Sequence, residues 1–185
     1  MTTRSATPTT RRIRARCPMW STSSTAWAWP ATRALPVFAR LVDLIAATEE
    51  DVRDRRSGTF YYVEAVCWGM ERLADPAAIP ILRTLHAVPS LRDQVSHTGF
   101  QADYFQERQA FLEVCIARAQ AGCGDDEGLR TLIAYLDDAR GLLAESAHAH
   151  LVAFTGQDFG KDAAAWTAGT PWSQPEPCGA TAVRA

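Results

Sequence analysis

Two stretches decide the fold: ADPAAIPILRTL at residues 74–85 and GDDEGLRTLIAYL at residues 124–136. In each, an aspartate precedes apolar residues at helical spacing. Shifting the chain by 50 residues lays Asp75 on Asp125, Ala78 on Gly128, Ile79 on Leu129 and Leu82 on Leu132. An aspartate at this position accepts hydrogen bonds from the first free helical N–H groups, and Pro76 at the first helical position has no N–H to lose. The segments ahead also correspond: Tyr61 with Phe111, Tyr62 with Leu112, Val66 with Ile116 and Gly69 with Ala119. Both units therefore read as helix, acidic cap, shorter helix.

A third unit begins at Leu136-Asp137-Asp138, where an aspartate cap precedes a helix with Leu143, Ala147, Leu151 and Phe154 on its buried stripe and Thr155-Gly156 at its end. Helix pairs repeated in this way are the sequence sign of an α-solenoid. ADPAAIPILRTL and GDDEGLRTLIAYL resemble the inter-helix turn and second helix of a HEAT repeat, and DDARGLLAESAHAHL resembles the first helix of a following repeat. LVAFTGQDFGKDAAAW, residues 151–166, is similar to the closing stretch of bacterial HEAT-repeat domains. The resemblance covers residues 57–168. It implies an all-α fold, a short right-handed α-α superhelix of about 2.5–3 helix pairs, whose long side surfaces take a protein partner. A HEAT repeat typically spans about 40–47 residues, so the offset of 50 implies an insert, Pro89 to Gln106. The closing segment departs too, since Trp166 is followed by Thr-Ala-Gly-Thr-Pro before Trp172, which suggests an altered end cap.

Outward from these units, Leu35, Phe38, Leu41, Val42 and Ile45 predict an opening helix over about residues 36–54. Phe60 to Leu73 predicts the next, with Tyr62, Val66, Gly69, Met70 and Leu73 along one stripe, and residues 77–87 a third. The helical domain is thus expected over residues 35–168, between an extension of 1–34, disordered or a misplaced start, and a disordered tail of 169–185. The extension lacks any 2.0 or 3.6 periodicity. Arg11-Arg12 form a twin-arginine pair, yet Pro18, Ser21 to Thr25 and Pro30 interrupt the apolar region an export signal needs.

Composition excludes several classes. The chain has 185 residues, 47% hydrophobic and 22% charged, with a net charge of −2. Seven arginines and no acids make residues 1–42 strongly basic, and the rest carries −9. An acidic folded part without a basic stripe argues against nucleic acid as partner. No run approaches the ~18 apolar residues of a membrane span. The five cysteines, Cys17, Cys67, Cys115, Cys123 and Cys178, contain no CxxC pair; Cys67 and Cys115 fall on apolar helical faces and read as small hydrophobes, mildly favouring a reducing, cytoplasmic compartment.

No catalytic, cofactor or metal residues are assigned. His148 and His150, two apart, fall on different helix faces and make a poor metal pair. Glu49-Glu50, Asp125-Asp126 and Asp137-Asp138 could be called catalytic carboxylates, but the last two pairs sit at helix starts and read as caps. No nucleophile elbow or phosphate loop surrounds Ser90, Ser96 or Ser146. The insert supplies the candidate partner-binding residues His97, Phe100, Tyr104 and Phe105, in a non-periodic stretch between two helices. There the aromatics would either anchor a partner or fold back over a groove of the stack. Two functions follow: a non-enzymatic interaction module or scaffold with a protein partner, or the C-terminal accessory helical domain of a larger bacterial enzyme, redox among the choices, without its catalytic part.

Overall fold

A computed structural model describes residues 31–48, 58–98 and 103–170. Within them the chain is all-α, with seven packed helices and no strand. The helices are α1 (Ala31–Ala47), α2 (Thr59–Leu73), α3 (Ile79–His86), α4 (Tyr104–Cys123), α5 (Asp126–Ala134), α6 (Gly141–Thr155) and α7 (Ala163–Gly169). Substantial packing joins only helices adjacent or next-but-one in chain order: α1 with α2 and α3, α2 with α4, α4 with α3, α5 and α6, α5 with α6 and α7. This is a succession of layers.

The 50-residue register survives in space. Asp75 and Asp125 both adopt extended backbone and both accept the N–H two residues on, from Ala77 at 2.9 Å and from Glu127 at 3.2 Å. Beyond them Ala78 and Gly128 are buried, as are Leu82 and Leu132, and Leu85 and Tyr135. Two expected boundaries move. α1 starts five residues ahead of Pro36, which lies inside it, and ends before the charged residues from Glu49; residues 49–57 lie outside the described ones. The buried stripe of α2 runs through Val63, Val66, Cys67 and Met70, whereas Tyr62 faces solvent, so the apolar face is turned by one position from the expected one.

α4 is the wall between two cores. Leu112, Cys115, Ile116, Ala119 and Cys123 join α1, α2 and α3 on one side. Ala110, Val114 and Ala117 join α5, α6 and α7 on the other. The second core closes on Trp166, wholly buried, whose indole N–H donates to Gly160 O at 2.7 Å and whose ring meets Phe159 edge-on. Trp172 lies outside the described residues.

The insert is tied down at two points. After a 3₁₀ turn at Pro89–Leu91, the backbone N–H groups of Asp93 and Gln94 donate to the carboxylate of Glu113, each at 2.8 Å. His86 Nε2 at 3.2 Å and the Tyr135 hydroxyl at 2.6 Å complete its shell. Burial alone would raise the Glu113 pKa, but these hydrogen bonds outweigh it and hold the carboxyl below its usual range. Asp138 is the second tie, and here an expectation is corrected. It does not cap α6, whose N-cap is Arg140 without any side-chain cap bond. Its carboxylate instead accepts from Ser96 N at 3.0 Å and from Arg140 N, Nε and Nη2 at 2.8, 2.8 and 2.6 Å. Ala139 N donates to Ser96 O at 2.7 Å, so the insert and the α5–α6 turn are stitched together.

Gly128 sets the α4–α5 spacing. A Cβ there would lie 2.3 Å from Ala117 O, 2.5 Å from Ala121 N and 2.8 Å from Gln120 Cβ. These are backbone atoms or atoms fixed to it, so they cannot swing away. The overpacking costs about 3 kcal/mol, against about 1 kcal/mol gained in helix propensity. Gly128→Ala should therefore lose about 2 kcal/mol in urea denaturation. Gly141→Ala, whose Cβ meets nothing within 4 Å, should be neutral or stabilising.

His150 gives the fold an acid sensitivity. Burial, then the charge of Arg118, lowers its pKa to about 4. A folded pKa below the unfolded value of about 6.5 means stability is full above pH ~6.5 and drains as pH falls toward 4. Equilibrium unfolding between pH 7.5 and 4.5 should show this slope, and His150→Gln should flatten it.

Candidate functional site

The faces of α2, α4 and α6 that do not meet each other enclose a groove of about 590 Å³, lined chiefly by Phe60, Tyr104, Arg108, Phe111, Leu142 and Leu143. Its geometry follows from helix spacing. Tyr104, Arg108 and Phe111 recur at four and three residues along α4 and share a face. Phe60 stacks on Phe111 with ring centroids 6.1 Å apart and planes 20° from parallel. The Arg108 guanidinium lies 3.9 Å above Phe60 and 5.3 Å from the Tyr104 ring, and Nη1 donates to the Tyr104 hydroxyl at 2.9 Å. Leu142, at the first turn of α6, is 83% exposed.

The expected site residues are distributed unevenly about this groove. Tyr104 and Phe105 are not in a loop: they form the first turn of α4, capped by Asp103, which accepts from Phe105 N at 2.9 Å. Both are exposed and meet edge-on at 5.8 Å, and of the two Tyr104 lines the groove. His97 is exposed on the segment that follows the 3₁₀ turn, outside the groove lining. Phe100 lies outside the described residues. Phe60, Arg108, Phe111 and Leu142 were missed as site residues. Their signal was present only as apolar or basic positions on the outward side of each helical stripe.

Of the carboxylates read as caps, Asp125 is one. Asp125 is engaged by Glu127 N and by both Nε and Nη2 of Arg83 at 2.8 and 2.9 Å; burial would raise its pKa, but the Arg83 bond outweighs that and lowers it. His148 pairs with Asp158 at 2.8 Å, while His150 lies 3.4 Å from the Ser146 hydroxyl, so the two rings serve different neighbours. Ser146 borders the groove, but a Ser–His pair needs an acid to orient the imidazole and support its cation, and Arg118 opposes that cation. Among the described residues no three or more His, Cys, Asp or Glu side chains gather to hold a metal, and no helix is long and apolar enough to cross a membrane. Cys67, Cys115 and Cys123 are buried free thiols, and desolvation raises the last two to about 11. Cys17 and Cys178 lie outside the described residues.

Compared with protein families, curated proteins and solved structures, the chain has no match. Leu142→Glu should leave far-UV circular dichroism unchanged and stability within about 0.5 kcal/mol, as expected for an exposed residue. It should also reduce the fluorescence of a dye that reports exposed apolar surface.

Proposed function

We propose that this chain is a non-enzymatic α-solenoid of the HEAT type, an interaction module that receives an amphipathic helix of a protein partner in the α2–α4–α6 groove. The observation that carries it is the groove itself: an apolar floor of Phe60, Phe111 and Leu143, an exposed leucine at one edge, and an arginine held in place over two rings. A helix presenting apolar residues at i, i+3/i+4 and i+7 fits such a channel, and Arg108 favours an acidic residue beside that stripe. Helices that pack only with near neighbours leave long side surfaces for this purpose. The acidic charge of residues 43–185 and the lack of a basic stripe weigh against nucleic acid.

A second reading, an accessory helical domain of a larger bacterial enzyme, draws support from the other end of the stack. Val37, Leu44, Tyr61, Tyr62 and Trp68 on α1 and α2 are more than half exposed, the kind of surface a neighbouring domain covers. A reversible, cooperative thermal melt of the isolated monomer favours the free-standing module; aggregation relieved by Trp68→Glu favours the accessory domain.

The groove is tested by displaying a library of helical peptides against the purified chain and titrating the enriched sequences calorimetrically. The expected outcome is enrichment of apolar i, i+3/i+4, i+7 patterns with an acidic flank. Binding should weaken at least tenfold in Leu142→Glu and in Arg108→Ala. Enriched peptides that bind the variants as well as the parent, or no enrichment, would overturn the assignment.

A further inference from the structure

On the opposite side of α4 lies a second cleft, of about 610 Å³, whose chemistry is the reverse of the groove's. Arg83, His86, Arg92, Asp93, Gln120 and Glu127 line it. It exists because α3 and α5 barely pack on each other; their link is the paired bond from Arg83 to Asp125, which leaves Arg83 Nη1 for another acceptor.

Gln120 is the unusual member. It is wholly buried on α4, and neither Oε1 nor Nε2 has a hydrogen-bond partner among the described residues. Three other buried polar side chains are matched: Glu113 accepts four bonds, Asp138 four, and Gln109 donates to Ser90 O at 3.0 Å. Leaving a buried donor or acceptor unmet costs about 1–3 kcal/mol. A carboxamide presents a donor and an acceptor side by side, and the group that meets both together is another amide.

The rest of the lining adds two cations and two carboxylates. Arg92 pairs with Asp93 at 3.3 Å and Glu127 with Arg130 at 2.8 Å, all on exposed side chains. Exposed pairs of this kind are worth about 0–1 kcal/mol, so exchanging partners for a ligand costs little. A simple anion would meet Asp93 and Glu127 as well as the arginines, and a simple cation the reverse. A ligand with both charges meets neither penalty.

We propose that this cleft binds a small zwitterion carrying an amide, of the amino-acid or short-peptide class, with its amide on Gln120, its carboxylate at Arg83 and Arg92, and its ammonium at Asp93 and Glu127. The site is independent of the groove and of the reading drawn from it.

Isothermal titration and thermal shift of the full chain with L-glutamine, alanyl-glutamine and N-acetyl-glutamine amide test it. At least one of the first two should bind in the millimolar range or tighter and raise the melting temperature, while the doubly blocked compound, lacking both charges, should not. Binding of L-glutamine alone assigns a free amino acid, and of alanyl-glutamine alone a peptide. Gln120→Leu, which removes the unmet amide, should fold at least as stably and bind at least tenfold more weakly; Arg92→Ala, on an exposed turn, should also weaken binding. No binding of either zwitterion at 10-fold above the millimolar range, equal binding of the blocked compound, or undiminished binding by both variants would overturn the proposal.

Discussion

The whole arrangement depends on α4 having almost no face of its own toward solvent. From Leu112 to Ala117 every residue of this helix is buried, which an amphipathic surface helix cannot be. Apolar side chains on two flanks force a cover on each, so α2 and α3 must lie on one side and α5 and α6 on the other. The small residues Ala110 and Ala117, with Gly128 opposite, let α5 come close enough to complete that cover. Layering therefore follows from one helix that must be hidden twice.

A helix hidden twice cannot tolerate an unmatched charge, and Glu113 sits in its middle. An ionised carboxylate in such a place would be prohibitive without partners. The chain resolves this by turning the insert inward, so that two backbone N–H groups, an imidazole and a phenol all converge on it. The Tyr135 phenol is correspondingly held well above its ordinary pKa, by burial first and then by the Glu113 charge. The inserted segment is thus part of the structural wall, and Asp138 with Arg140 repeats the device one layer on. What sequence comparison of the repeats shows as an excess of residues is, physically, the solvation shell of two buried carboxylates.

Legibility followed the range of the interaction. The caps at Asp75 and Asp125, the left-handed Gly156 after α6 and the second helices α3 and α5 are legible, because each is decided within a few residues. The start of α4 is not legible because Tyr104 and Phe105, counted with the insert, lie in its exposed first turn and share no stripe with the buried residues from Gln109 on. Asp138 was mistaken for a cap because its local pattern matches Asp125; the partner that decides otherwise, Ser96, is 42 residues away. Glu113 has no local signature for the same reason: its partners lie 19 to 27 residues away. Of the site, Tyr104 was legible from its aromatic company, but the groove it borders also needs Phe60 and Leu142, from α2 and α6, which only packing brings together.

The groove and the cleft have a common origin in that packing. First helices lie side by side, and where the side chains of α2, α4 and α6 diverge outward they leave an apolar channel. Second helices are shorter, α3 of 8 residues and α5 of 9, and cannot close upon each other, so the space between them is bridged by Arg83 and Asp125 and floored by the polar side of α4. A long helix between short ones must leave such spaces, and their chemistry is set by which residues α4 turns to each side. It turns Arg108 and Phe111 to one and Gln120 to the other. The same wall that makes the fold thereby gives it one oily recess and one polar recess, and substitutions in either can be made without crossing the core between them.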